Sequence, residues 1–89
     1  MSKRLKQFDN ATRNITDVRG AVYGHPLRNY RRIQAIKAIV AECQHPLARE
    51  ALDTIAVKMS RLIETPDHLD SWIDIGGAAR TGVMVTDKD

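Results

Sequence analysis

The chain has 89 residues, 28% of them charged and 43% hydrophobic, with a net charge of +3, which fits one small domain. A single cysteine, Cys43, excludes an internal disulfide and a zinc site built on several thiolates, and it fits a reducing compartment. No apolar run approaches the roughly 20 residues that cross a bilayer.

Met1-Ser2-Lys3-Arg4-Leu5-Lys6 opens basic with no apolar segment behind it, so the pattern is not that of a secretory signal and a cytoplasmic protein is expected. Asp9 or Asn10 is placed to cap a short first helix running through Ile15, Val18 and Val22, with Gly20 weakening it. Three punctuation points follow: Tyr23-Gly24-His25-Pro26, Gln44-His45-Pro46 and Thr65-Pro66-Asp67. Each proline suits a helix's first turn or the residue before it, where a missing N–H costs nothing.

After the first point, Leu27, Tyr30, Ile33, Ile36, Val40 and Cys43 recur every three or four residues as one apolar stripe, with Arg28, Arg31, Arg32 and Lys37 largely off it. After the second, Ala48, Ala51, Leu52, Ile55, Ala56, Met59, Leu62 and Ile63 make a stripe wide enough to predict cover on two sides. After the third, Asp67 is the expected cap of a last helix whose stripe is Leu69, Trp72, Ile73, Gly76 and Ala79. Val83-Met84-Val85-Thr86 reads as an extension or frayed tail, and residues 1–9 and 85–89 are expected to be flexible. Short connections place successive helices antiparallel. The prediction is one all-α domain over 1–89, a three- or four-helix antiparallel bundle. A core this small leaves roughly 3–5 kcal/mol of net stability, so self-association is expected to complete it.

Residues that carry chemistry concentrate between Lys58 and Gly77. Asp70 and Asp74 are four apart and share a helix face, roughly opposite Trp72 and near Gly77. Two such carboxylates either hold Mg²⁺ through oxygen ligands or pair with bases on a neighbouring helix. Lys58 and Arg61, three apart, are spaced to meet those carboxylates as an ion-paired seam or to contact the phosphates of a nucleotide. His68 reads as a cap or surface histidine, with general base or metal ligand as the alternative. Gly76-Gly77 is costly inside a helix, by about 1 kcal/mol per glycine, and calls for close helix contact or the approach of a ligand to the backbone. Trp72 is expected to anchor the core or a subunit interface. Arg28, Arg31, Arg32 and Lys37 read as a solvated face or a phosphate-attracting patch. Gly24 permits a positive φ, and Asn29 and Tyr30 are placed to bond back to the turn. Cys43 reads as a small apolar residue near a helix end.

Tyr23-Gly24-x-Pro26-x-x-Asn29-Tyr30-x-x-Ile33, Lys58-x-x-Arg61 and Asp67-x-x-Asp70-Ser71-Trp72-Ile73-Asp74-Ile75-x-Gly77 together resemble a set of small helical domains of bacteriophages and prophages. These domains look like distant relatives of the MazG-type all-α nucleotide pyrophosphohydrolases, and the similarity covers most of residues 17–82. It implies an oligomeric helical bundle, Mg²⁺ on acidic residues and attack of water on a nucleoside triphosphate. The acidic pair such enzymes carry ahead of Lys58 is missing, and only Asp70 and Asp74 match the later acidic positions. Ala78 stands where the phage domains carry an aromatic residue.

The expectation is a phage-type, MazG-like helical protein that binds or acts on nucleoside phosphates. Lys58 and Arg61 would hold phosphate, and Asp70 and Asp74 would hold Mg²⁺ for pyrophosphohydrolysis. The alternatives are a non-enzymatic homo-oligomer that modulates a host protein and a weak nucleic-acid binder, with Arg28, Arg31, Arg32 and Trp72 as the interface or basic patch.

Overall fold

A computed structural model describes residues 2–88; the side chains of Asn14, Thr16, Asp17, Val18 and Tyr23 lie outside the described part, so the expectations placed on Val18 and on the ring of Tyr23 are not addressed. The described residues form four helices, α1 (Lys3–Tyr23), α2 (Pro26–Val40), α3 (Pro46–Glu64) and α4 (Leu69–Thr86). The all-α class read from the apolar spacing holds.

The helix starts are set by local hydrogen-bond acceptors. Ser2 Oγ accepts from the Leu5 amide at 3.1 Å, so α1 begins well before Asp9, which instead pairs with Arg13 at 2.6 Å. Pro26 and Pro46 open α2 and α3 as expected, and the imidazole before each supplies the cap. His25 Nδ1 accepts from Leu27 N at 3.2 Å and His45 Nδ1 from Ala48 N at 3.1 Å. The last helix starts one residue later than Asp67 would place it: His68 is the N-cap residue, without a side-chain cap bond, and its Nδ1 lies 2.7 Å from Ser71 Oγ. Val83–Thr86 is the final turn of α4.

α3 is the axis of the molecule. It touches all three other helices, whereas α2 and α4 make no contact with each other among the described residues. By helical rotation of about 100° per residue, Ser60 and Glu64 point to one flank of α3 and Ala51, Ile55 and Leu62 to the other. α2 takes the first flank, through Asn29–Ser60 and Arg28–Glu64. α4 takes the second as an antiparallel hairpin partner, with Lys58 opposite Asp74 and Ala51 opposite Gly82. α3 is thus covered on two sides, as the breadth of its stripe implied, although Leu52, Met59 and Ile63 of that stripe stay exposed. The result within one chain is an open layer with extents of 55 × 30 × 22 Å and a radius of gyration of 16.2 Å, against about 12 Å for a compact chain of this length.

Two predicted stripes are displaced, one of them only in part. On α2 only the first turn departs: Ile33, Ile36 and Val40 are half-buried, while Leu27 and Tyr30 are exposed and the buried position is Asn29. On α4, Leu69, Trp72, Ile73, Gly76 and Ala79 are all exposed, while Ser71 and Ala78 are buried against α3. The reason is steric: small side chains let the α3 and α4 backbones approach, and a Cβ on Gly82 would sit only 3.6 Å from that of Ala51. The large apolar residues of α4 are left on its outer sides.

The turn between α1 and α2 is locked onto the end of α3. Gly24 has φ 77°, and a Cβ there would lie 2.7 Å from Arg28 Nη2 and from the Glu64 carboxylate. Glu64 Oε1 receives Arg28 Nε at 2.7 Å and Arg32 Nη1 at 3.0 Å, and Thr65 Oγ1 donates to the Val22 carbonyl at 2.8 Å. From Lys3 to Ala11, α1 is exposed along its whole length. Cys43 is half-buried just beyond α2, its carbonyl accepting two bonds from Arg49 at 2.9 and 2.7 Å.

Candidate functional site

Of the residues singled out between Lys58 and Gly77, Lys58, Asp74 and Gly77 come together on one side of the α3–α4 hairpin, and Trp72 lies on another. A groove of about 740 Å³ runs along the first side, within the range of small-molecule sites. Its floor is Ala51, Gly77 and Ala78, and its walls carry Glu50, Thr54 and Thr81. Leu47 and Val85 form one apolar end, and Lys58, Asp74 and Ile73 form the other.

At the charged end Lys58 Nζ meets Asp74 Oδ2 at 3.0 Å; the lysine side chain is 16% exposed and the aspartate 47%. The ion-paired seam inferred from spacing therefore exists at this pair. Arg61 lies one turn further along the same side of α3. Burial, then the proximity of Arg19 from α1, push its guanidinium below its ordinary pKa, while Asp74 pulls in the opposite direction. Lys58 and Arg61 thus both lie within reach of the Asp74 carboxylate, with Arg61 partly desolvated.

Gly77 contributes open backbone. Neither Gly76 nor Gly77 has any atom within 4 Å of where a Cβ would stand, so neither serves close helix packing within the chain. Gly77 faces the groove instead. Asp70 is exposed in the first turn of α4, and no group of three or more His, Cys, Asp or Glu side chains able to hold a metal occurs among the described residues. Asp70 does not line the groove, and the Asp74 carboxylate is already on Lys58.

The arginine cluster of α2 is divided by the fold. Arg28 and Arg32 both turn onto Glu64, and Arg32 Nε also donates to Ser60 Oγ at 3.1 Å. Arg31 and Lys37 are exposed. Trp72 is 54% exposed, with its Nε1 donating to the Pro66 carbonyl at 2.9 Å, so it does not anchor the core of a single chain.

Sequence reasoning missed one buried polar element. Asn29 is 4% exposed and Ser60 fully buried; Ser60 Oγ lies 2.6 Å from Asn29 Oδ1 and 3.4 Å from the Asn29 carbonyl. Nothing in the apolar spacing of α2 or α3 signals that these two polar side chains bury together.

A family model described as "Domain of unknown function (DUF6378)" matches residues 6–86. The chain belongs to this family. The match takes in all four helices' contacts around α3 and every groove residue. Comparison with curated proteins finds no significant match, and comparison with solved structures finds none. No helix among the described residues is long and apolar enough to cross a membrane.

Proposed function

We propose that the α3–α4 groove binds a nucleoside phosphate, with the phosphates at its basic end and the nucleoside along the Ala51–Gly77–Ala78 floor. The observation that carries this reading is Lys58 at the charged end of a groove of about 740 Å³, with Arg61 one turn further along α3 and within the field of Asp74, and a glycine with no steric neighbour in the groove lining. Lys58 would exchange its bond to Asp74 for one to a phosphate oxygen, and Arg61 would add a planar donor pair. The backbone at Gly77 lets a flat ring lie close to α4.

The resemblance to MazG-type enzymes of phages supports a phage-type protein whose nucleotide arrives with Mg²⁺. Asp70 and Asp74 are the residues that would hold that ion, which would neutralise charge on the phosphates. Hydrolysis to release pyrophosphate is the activity this reading extends to, in a cytoplasmic homo-oligomer whose bundle is closed by a second chain.

The test is thermal stability against a panel of nucleotides, with and without Mg²⁺. A nucleotide at a hundred times its dissociation constant adds about 2.7 kcal/mol to the native state, several degrees for a domain of this size. One selective rise, lost in Lys58→Ala, supports the reading; a flat panel at millimolar ligand overturns it. Asp74→Asn then separates binding from turnover. A hydrolase loses pyrophosphate release, whereas a pure binder keeps or improves affinity because a negative charge beside Lys58 is gone.

A second reading, an interaction module for a host protein, is favoured by α1, where Leu5 and Phe8 stand exposed one turn apart on a helix half whose residues from Lys3 to Ala11 are all exposed. Truncating residues 2–11 would abolish such an interaction and leave nucleotide binding intact.

A further inference from the structure

Apart from the side that carries Asp70 and Asp74, α4 is mostly apolar, yet α3 covers only part of that surface. A helix of that kind belongs in an interior, and the outer residues here include Trp72 and Val83, both more than half exposed. On α3, rotation of about 100° per residue sets Leu52, Met59 and Ile63 roughly opposite Glu50, Thr54 and Lys58. The hairpin therefore has two unlike faces, the polar groove on one and an apolar surface on the other.

The apolar surface is continuous. Two hollows of about 440 and 300 Å³ adjoin on it, sharing Ile55, and no charged residue lines either. One end is bulky, with Met59, Ile63 and Trp72; the other is shallow, with Ala48, Ala79 and Gly82. The indole Nε1 is already satisfied by the Pro66 carbonyl, so Trp72 loses no hydrogen bond on being covered.

Area points the same way. The chain exposes 6918 Å², whereas a folded monomer of 10.0 kDa exposes about 5,200 Å². The outlying half of α1 accounts for part of the excess. The rest is on the scale of the roughly 800 Å² per partner that a standard interface buries.

We infer that this apolar face is a self-interface, on which a second copy lays its own α3–α4 hairpin about a two-fold axis running across the helices. That axis sets the bulky end of each hairpin into the shallow end of the other, and the open layer closes into a four-helix core. Trp72, exposed in one chain, becomes an interface anchor. The inference specifies the self-association proposed above and does not depend on the nucleotide reading, because the groove lies on the opposite face and stays open.

Sedimentation equilibrium of the full chain over a wide concentration range tests it. The expected species has twice the 10.0 kDa chain mass. Met59→Glu, at a position exposed in the single chain, should raise the dissociation constant by about a hundredfold or more, since each dimer would bury two unpaired carboxylates. Ile63→Gln is the milder second variant, and Trp72 emission of the unaltered protein should shift to the red on dilution. Arg31→Glu, on α2, should leave the dimer unchanged. A monomer at every concentration overturns self-association altogether. A dimer that both face variants leave intact overturns this face while retaining self-association.

Discussion

The two flanks of α3 are held by opposite chemistries. Against α2 the contact is polar and directional: a buried Asn29–Ser60 bond, Arg32 on Ser60, and two arginines on Glu64. Against α4 it is a seam of small residues, Ala51 with Ala78 and Gly82, and one ion pair at its end. Directional bonds fix the position of α2 and of the turn before it but bury little apolar area. The small-residue seam gives close packing and leaves the large apolar side chains of α4 outside. One flank is specified within the chain, and the other waits for further cover.

The largest expected effect lies where the polar flank meets the turn. Gly24→Ala forces a positive φ on a residue with a Cβ and drives that Cβ into Arg28 and Glu64, so a loss of about 2–4 kcal/mol is expected in urea unfolding. An unchanged midpoint would show that the turn is not locked onto α3. Next is Ser60→Ala, which removes the partner of Asn29 inside the core and should cost about 1–3 kcal/mol. The same substitution with Asn29→Ala should cost less than the sum of the two singles, since the orphaned group is then gone. Additive losses would mean that the two side chains do not act as a pair.

On the small-residue flank the expected sign reverses. Gly76→Ala meets no atom of its own chain and should gain about 0.5–1 kcal/mol. Gly77→Ala should gain as much and weaken nucleotide binding, because the new methyl stands in the groove; calorimetric titration beside the melting curve separates the two. A Gly77→Ala variant that is both more stable and equally tight would remove the glycine from the site.

Much of the fold was legible because prolines and apolar spacing are local signals. The positions of Pro26 and Pro46 and the two-sided cover of α3 follow from them. The face of α4 was not legible: when nearly every position is apolar, spacing cannot say which side packs, and Ser71, Ala78 and Gly82 carry the seam by being small. Asn29 and Ser60 escaped because a pattern of hydrophobic residues is blind to polar groups that bury as a pair. The start of α4 was missed by one residue, since Asp67 and His68 are both able to precede a helix. For the site, the spacing of Lys58, Arg61 and Asp74 predicted one charged edge, and the structure joins Lys58 to Asp74 across it.

The central claim is that the α3–α4 groove receives a nucleoside phosphate, and an NMR titration of the ¹⁵N-labelled chain with a nucleoside triphosphate and Mg²⁺ tests it most directly. Saturable shifts confined to the amides around Thr54, Lys58, Asp74, Gly77 and Thr81, and lost in Lys58→Ala, are the predicted result. No shifts at millimolar nucleotide, or shifts centred on Arg31 and Lys37 of α2 instead, would contradict it.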